Sequence, residues 1–295
     1  MGPTASGKTE LAINLSKEFP IDIISVDSAQ VYRGMDIGTA KPSKEVLRQY
    51  PHHLIDICDP EHSYSAGDFV KDATQQINKT KNRNRIPLLV GGTMLYFHSL
   101  VNGIADLPKG DFEVRNLIQN EAEIIGWPKM HQKLRKIDPE AADKIDANDK
   151  QRIQRALEVF ELSGRKISEL HNEKVTKKVF SFIKFAINTL DREALHTRIN
   201  KRFLKMLGND FIEEIKLLRK RKNLTKEHSS MRAVGYRQIW SYLDGESSYE
   251  EAIKKAQAST RQLAKRQITW LRGMEDVISI DAGSENIVTA INSIS

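Results

Sequence analysis

A glycine-rich segment at the start of the chain has the residue types of a phosphate-binding loop. Gly2-Pro3-Thr4-Ala5-Ser6-Gly7-Lys8-Thr9 matches the pattern G-x-x-x-x-G-K-[ST]. In such a loop, successive backbone N–H groups converge on phosphate oxygens, the lysine adds a positive charge, and the last hydroxyl coordinates Mg²⁺. Residues 10–19, which follow, read as the helix that the pattern requires. We therefore predict that residues 2–9 bind a diphosphate, with Thr9 as a ligand of Mg²⁺.

A buried strand normally precedes a loop of this kind, yet only Met1 precedes Gly2 in this sequence. The first strand of the sheet is therefore expected to be missing. We also expect the chain to be less stable than a version with about six more apolar residues at its N-terminus, the length of a typical strand.

Asp27 is the second position with evident chemistry, because it directly follows the apolar segment Ile21–Val26. Ligands of open α/β sheets bind at the carboxyl ends of the strands. There the carboxylate could orient Mg²⁺ in phosphoryl transfer, accept a proton from an amine nucleophile, or simply cap the turn. Gly91-Gly92-Thr93 follows the apolar segment Ile86–Val90 in the same way and places a hydroxyl at the same edge.

The elements that must position these residues change in type along the chain. Strands alternating with helices over the first hundred residues predict a parallel α/β sheet, and residues 113–148 read as a helical insertion. A helix over 149–164 and a strand over 179–187 that rejoins the sheet are predicted next, followed by a helical C-terminal region. The fold predicted is a P-loop NTPase-like, doubly wound parallel sheet, with a catalytic core of residues 1–112 and 149–295.

Composition restricts the class of protein and its partners. The net charge is +7, and residues 196–237 contain twelve Lys and Arg against four Asp and Glu. Residues 254–273 contain six against none, which favours contact with a phosphate backbone. On that helix, Arg261, Lys265 and Arg272 share a basic face, whereas Leu263, Trp270 and Leu271 fall on the opposite, packing side.

The remaining composition favours the cytoplasm. The single cysteine, Cys58, excludes an intrachain disulfide and a cysteine-based zinc site, and it fits a reducing compartment. His52 and His53 lack the spacing of metal ligands. No apolar run is long enough for a membrane helix, and no signal peptide is recognisable, so no membrane partner is expected.

Several long motifs together resemble one family, the tRNA dimethylallyltransferases, also called tRNA isopentenyltransferases. The resemblance extends from Met1 to Gly273. This sequence differs from the family in two respects: the first strand is missing, and so is the C-terminal zinc finger that some eukaryotic members have. The motifs are GPTASGKT at 2–9, SVDSAQVY at 25–32, MDIGTAKP at 35–42, VGGTMLY at 90–96, QRIQRALEV at 151–159, VGYRQ at 234–238 and TRQLAKRQITWLR at 260–272.

The resemblance implies transfer of a dimethylallyl group from dimethylallyl diphosphate to N6 of the adenosine 3′ of the anticodon, in tRNAs that read codons beginning with U. It assigns catalysis to Asp27 as general base, to Thr4, and to Arg202 as the residue that clamps the diphosphate. Mg²⁺ is the implied cofactor, the anticodon stem-loop of tRNA the implied partner, and a monomer the expected state. The target base must leave the stacked anticodon loop to reach the pocket.

The resemblance also implies direct tRNA contacts at the following positions: Asp27, Ser28, Ala29, Gln30, Thr93, Arg115, Gln151, Arg152, Ile153, Gln154, Arg155, Arg232, Ala233, Val234, Gly235, Tyr236, Arg237, Lys265, Arg266, Gln267, Ile268, Thr269, Trp270, Leu271 and Arg272.

Three other functions remain open from the sequence. An ATP-dependent small-molecule kinase would use the phosphate loop but leaves the basic helices and the insertion without a purpose. An isopentenyltransferase acting on free AMP or ADP would need neither of those features. A non-catalytic tRNA-binding protein would have no use for Lys8, Thr9 and Asp27.

Overall fold

The computed structural model describes residues 1–173, 180–188, 191–281 and 288. The strands are β1 (Ile21–Val26), β2 (His52–His53), β3 (Ile86–Gly91), β4 (Lys184–Ile187) and β5 (Val277–Ile280). The helices are α1 (Lys8–Glu18), α2 (Lys44–Gln49), α3 (Ala66–Lys81), α4 (Met94–Asn102), α5 (Phe112–Ile125), α6 (Trp127–Ile137), α7 (Pro139–Lys144), α8 (Lys150–Ser163), α9 (Ile167–Asn172), α10 (Arg192–Gly208), α11 (Phe211–Arg219), α12 (Tyr236–Leu243) and α13 (Tyr249–Arg272).

Strands β1, β2 and β3 form a parallel sheet in the order β2-β1-β3. Ile21 and Ile23 of β1 pack in one apolar cluster with residues of α1, whereas Val26 packs in another with Phe69 and Ala73 of α3. A strand buried on both faces by helices explains why β1 reads as a nearly continuous apolar run. The predicted parallel α/β fold is confirmed.

Strand β4 pairs in parallel with β5, from Lys184 opposite Val277 to Ile187 opposite Ile280. Val179 of the predicted strand over 179–187 lies outside the described residues, and the observed strand begins at Lys184. It pairs with β5 in a separate two-stranded sheet instead of rejoining the sheet of β1, as had been predicted. An apolar run indicates a buried strand, but it does not indicate which strand lies beside it.

Met1 also pairs with β4. Its backbone nitrogen donates to the carbonyl of Phe185 at 2.7 Å, and the N–H of Ile187 donates to the Met1 carbonyl at 2.9 Å. Met1 thus fixes the start of the phosphate loop beside β4, as a strand residue would. The expected effect of additional N-terminal residues on stability stays a prediction.

The chain divides into two compact units, Met1–Val101 with Ser181–Ser295 and Asn102–Phe180. The second unit contains α5 to α9 and covers more residues than the predicted insertion of 113–148. The reason is that α8, which the sequence assigned to the core, buries Ile153 and Leu157 in the same apolar cluster as Met130 and Leu134 of α6. The apolar periodicity of α8 does not reveal which unit it packs in.

The helical part of the first unit, α10 to α13, packs around a core that includes Met35, Phe211 and Tyr236. Helix α13 is the longest described helix and touches three separate apolar clusters. It contributes Ala252 to this core, Ala264 to a second cluster, and Leu271 to the cluster beside β1. None of the described helices is both long and apolar enough to cross a membrane.

Candidate active site

The phosphate loop ends in the open N-terminus of α1. Gly7 is the N-cap with a φ of 88°, Ala5 has a φ of 64°, and no side chain caps the helix. Left-handed backbone at a β-carbon-bearing residue such as Ala5 is costly, and strained residues of this kind cluster at functional sites. The uncapped N–H groups and the helix dipole make this end of α1 suitable for an anion. Thr9 is exposed and Thr4 half-buried at this end.

Lys8 lies folded back over the loop. Its Nζ donates to the carbonyl of Pro3 at 2.5 Å and lies 3.5 Å from Oγ of Ser6. Burial lowers the pKa of Lys8 from 10.5 to about 8; the nearby Asp27 carboxylate acts to raise it and the Arg202 guanidinium to lower it. These electrostatic interactions place the three residues near one another.

Arg202, on α10, is a partly buried cation. Burial lowers its pKa, and only partial compensation comes from Asp27. Among the described residues, no hydrogen bond or salt bridge to its guanidinium is found. Because an unpaired charge is costly to desolvate, the surplus of positive charge from Lys8 and Arg202 over the single Asp27 favours binding of an anion here.

Asp27 is held by the turn after β1 through one of its oxygens. Its Oδ1 accepts from the backbone N–H of Ala29 at 2.8 Å and of Gln30 at 3.2 Å. In the described part of the chain, no hydrogen bond reaches Oδ2. The turn-capping role and a chemical role are therefore compatible, since one oxygen fixes the side chain and the other remains an acceptor.

The Gly91-Gly92-Thr93 turn lies against the turn after β1. Oγ1 of Thr93 accepts from the N–H of Ser28 at 3.0 Å and lies 3.3 Å from Oγ of Ser28. A Cβ on Gly91 would come within 2.0 Å of the Val26 carbonyl, so a side chain cannot be accommodated. Both turns lie at the same edge of the sheet, as their positions at the carboxyl ends of β1 and β3 predict.

Gln30, predicted to contact tRNA, is used within the protein. Its Oε1 lies 3.3 Å from Oγ of Ser25, and its Nε2 donates to the carbonyls of Thr39 and Ala40. These bonds join the turn after β1 to the MDIGTAKP segment. Ser28 is exposed and Ala29 half-buried, so a tRNA could reach both.

Glu214, which the sequence did not single out, organises the MDIGTAKP segment from α11. Its buried carboxylate accepts the backbone N–H groups of Asp36, Ile37 and Gly38 and the hydroxyl of Tyr236 at 2.6 Å. No sequence signal marks it, because its partners lie 22 to 178 residues away in the chain. Burial and the adjacent Glu214 raise the pKa of Tyr236.

The predicted contact segment 232–237 is therefore mixed in character. Arg232 and Arg237 are exposed, as tRNA contacts require. Tyr236 is fully buried and Gly235 is buried, whereas Ala233 and Val234 are half-buried. The ring of Tyr236 lies in the apolar core and is not available to RNA.

Helix α13 presents an open groove of about 490 Å³ on its exposed side, lined by Gln262, Lys265, Arg266, Thr269 and Trp270. Trp270, expected on the packing side, is 40% exposed, and its ring lies edge-on to His98 with centroids 5.7 Å apart. The expectation failed because small residues such as Ala264 form the tightly packed seam. Arg272 is exposed, while Ile268 and Leu271 are half-buried.

Gln267 lies on the buried side of α13, although the resemblance assigned it to tRNA. Its Oε1 accepts from the N–H of Thr4 at 2.8 Å, and its Nε2 donates to the carbonyl of Gly92 at 2.8 Å. The side chain thus bridges the phosphate loop and the Gly91-Gly92-Thr93 turn.

Some residues of the second unit that were predicted to contact tRNA take part in an internal ion-pair cluster. Glu158, whose side chain is fully buried, accepts from Arg115 at 2.7 Å and from Arg155 at 2.6 Å. Ile153 is buried, and Nε2 of Gln154 donates to the carbonyl of Arg115. The exposed positions of residues 151–155 are Gln151 and Arg152; Arg152 is paired at 3.3 Å with the half-buried Asp149.

The oxygen ligands available near the phosphate loop suit a magnesium ion that is bound mainly through the substrate. No group of three or more His, Cys, Asp or Glu that could hold a metal occurs in the described ranges. Mg²⁺ is commonly bound by one or two protein oxygens together with phosphate and water. The hydroxyl of Thr9, in the first turn of α1, is an oxygen of this type.

Comparisons with known proteins agree on one family. The family model described as IPP transferase matches residues 30–274. The chain is 51% identical over 292 residues to a tRNA dimethylallyltransferase of Coxiella burnetii (strain RSA 493 / Nine Mile phase I), covering 99% of this chain and 94% of the relative. It is 50% identical over 304 residues to tRNA dimethylallyltransferase 2 of Hahella chejuensis, covering 98% of this chain and 92% of the relative.

Solved structures are similar over the same length. The full-length tRNA isopentenylpyrophosphate transferase from Bacillus halodurans superposes with a TM-score of 0.70 at 37% identity, covering 99% of this chain and 93% of that one. A eukaryotic dimethylallyltransferase acting on tRNA superposes with a TM-score of 0.79 at 27% identity, covering 99% and 76% of the two chains. The chain, in which Lys8, Asp27 and Arg202 lie near one another, belongs to the IPP transferase family.

Proposed function

We propose that this enzyme transfers a dimethylallyl group from dimethylallyl diphosphate to N6 of the adenosine on the 3′ side of the anticodon, in tRNAs that read codons beginning with U, releasing diphosphate. The relatives named above support a prenyl-group transferase that acts on tRNA. The observation on which the proposal depends most is that two partly buried cations, Lys8 and Arg202, interact electrostatically with an acceptor, Asp27, near the N-terminus of α1.

In the proposed reaction, the adenosine N6 attacks the allylic carbon that bears the diphosphate. The carbon–oxygen bond breaks, and its electron pair stays with the leaving diphosphate. Lys8 and Arg202 would stabilise the charge that develops on these oxygens, which lowers the barrier more than it stabilises the bound substrate. Oδ2 of Asp27 would accept the proton that N6 loses.

Thr4 and Thr9 complete the proposed diphosphate site. The Thr4 hydroxyl lies on a residue whose backbone is fixed by Gln267. The Thr9 hydroxyl would hold Mg²⁺, which when bound supplies further neutralisation of the leaving oxygens. Residues 2–8 would provide backbone N–H groups to the diphosphate.

For the RNA substrate, we propose contacts from exposed residues of the predicted set. These include Arg232 and Arg237 before and on α12, and Lys265, Arg266 and Arg272 on α13. Gln151 and Arg152 are the corresponding residues of the second unit. The proposed partner is the anticodon stem-loop, bound by a monomer in the cytoplasm, where tRNA is used.

The decisive experiment supplies unmodified tRNA, Mg²⁺ and dimethylallyl diphosphate to the purified protein and analyses the nucleosides by mass spectrometry. We expect adenosine to gain one C5H8 unit at the position 3′ of the anticodon. Parallel reactions replace tRNA with AMP or replace the diphosphate with ATP. Alkylation of AMP without alkylation of tRNA would establish the free-nucleotide enzyme, phosphate transfer from ATP would establish the kinase, and no gain on tRNA adenosine refutes the proposal.

A further inference from the structure

We propose that Gln267 is a positioning residue of the diphosphate site and makes no direct contact with tRNA. Its side chain holds the phosphate loop against the Gly91-Gly92-Thr93 turn from the inner side of α13. The identity of the anion rests on the function proposed above, but the structural role of Gln267 does not.

The two hydrogen bonds of Gln267 determine how its amide is oriented. The Thr4 N–H can only donate, and the Gly92 carbonyl can only accept. With Oε1 toward Thr4 and Nε2 toward Gly92, each at 2.8 Å, both bonds form; the flipped amide would oppose donor to donor and acceptor to acceptor. The amide of Gln267 therefore satisfies one donor of the phosphate loop and one acceptor of the Gly91-Gly92-Thr93 turn at the same time.

There is little free space around this bridge. Gln267 is 8% exposed, and a Cβ built on Gly92 would lie 2.5 Å from its Nε2 and 3.3 Å from the carbonyl oxygen of Gly2. The phosphate loop, the turn and α13 therefore converge within van der Waals distance. A buried amide at such a place must keep its partners, because an unpaired buried polar group is costly.

The bridge lies on the opposite side of α13 from the basic groove. Lys265 and Arg266, the two preceding residues, are exposed, whereas Gln267 points to the loops. The proposed tRNA-binding helix thus also supports the residues that would bind the leaving diphosphate. Without Gln267, the Thr4 backbone would lose its anchor, and the loop would sample conformations that do not bind diphosphate.

The first test uses Gln267→Met, which preserves the length of the side chain and removes both hydrogen bonds. Its control is Gln75→Met, the same change at an exposed position of α3. Titration calorimetry with inorganic pyrophosphate and Mg²⁺ should show about tenfold weaker binding for Gln267→Met, the scale of one lost hydrogen bond with a buried partner. Filter binding should show tRNA affinity unchanged within about twofold for both variants.

A loss of tRNA affinity with intact pyrophosphate binding would show that Gln267 contacts RNA and would overturn the proposal. Unchanged pyrophosphate binding would also overturn it. If the wild-type protein binds pyrophosphate and Gln267→Met does not, but the wild type transfers nothing to tRNA, the proposed function fails while the positioning role stands.

The second test, Gln267→Glu, has a readout that general destabilisation would not produce. One carboxylate oxygen can still accept from Thr4, but the other can donate to Gly92 only when it is protonated. Pyrophosphate affinity relative to the wild type should therefore be nearly restored at low pH and fall as the carboxyl ionises with rising pH. A ratio that is constant with pH, in a variant folded by circular dichroism, would contradict the bridge.

Discussion

Replacement of Asp27 by asparagine separates the proposed chemical role of this residue from its structural one. Oδ1 receives both backbone hydrogen bonds, from Ala29 and Gln30, and asparagine retains that oxygen. The turn should therefore keep its conformation. The group lost is Oδ2, the proposed acceptor of the N6 proton. Loss of a general base reduces rates by about 10²- to 10⁴-fold, or roughly 3 to 5 kcal/mol of barrier.

The assay is the single-turnover rate of transfer with saturating dimethylallyl diphosphate, together with tRNA affinity from filter binding. Asp27→Asn should reduce the rate by at least about 100-fold and leave tRNA affinity nearly unchanged. Asp27→Ala should be equally slow and additionally less stable by about 1 to 3 kcal/mol, because it loses two hydrogen bonds. A rate for Asp27→Asn within a few-fold of the wild type would refute the role of Asp27 as base.

Three further outcomes follow from the same geometry. Burial lowers the pKa of Lys8 to about 8, so the side chain is charged below that pH and neutral above it. The pyrophosphate affinity of the wild type should therefore fall as pH rises through about 8. Lys8→Arg should not show this fall, because its guanidinium stays protonated. Equal pH profiles for the two proteins would exclude this titration. Lys265→Ala should weaken tRNA binding and reduce its salt slope by about one, whereas Lys71→Ala, at an exposed position of α3, should not; equal slopes would exclude a phosphate contact. Glu214→Gln should lower the free energy of unfolding by about 3 kcal/mol, since one of its two acceptor oxygens becomes a donor facing buried donors; a thermal melt within about 1 °C of the wild type would contradict that.

Sequence reasoning located the chemical groups of the site because their positions follow from local rules. A phosphate-loop pattern predicts its own backbone shape, and Asp27 and Gly91 are found at strand ends, where parallel sheets bind ligands. The family resemblance added Arg202, which no local pattern distinguishes from the other arginines of α10. The structure brings it into electrostatic contact with Lys8 and Asp27.

The predictions that failed or need refinement concern partners that are distant in the chain. The resemblance assigned Arg115 and Arg155 to tRNA, but both pair with Glu158, which is buried although helical periodicity places it away from the apolar face of α8. Gln267 lies within about 40° of Leu263 and Leu271 on the helix, so periodicity agrees with its burial and only the resemblance had assigned it to tRNA. Trp270, expected on the packing side, is exposed because the smaller residues of α13 form the packed seam. Such choices depend on tertiary contacts, which one sequence does not encode locally.

Helix α13 has a dynamic consequence that follows from its three apolar contacts. It extends over about 36 Å, at 1.5 Å per residue, and loses packing in three clusters if it detaches. Amide hydrogens around Ala256 and Ala264 should then exchange with solvent only through global unfolding of the first unit, while its two ends exchange through local fraying. The surface proposed to receive tRNA would in that case be preformed on a rigid rod, so little conformational entropy would be lost there when RNA binds.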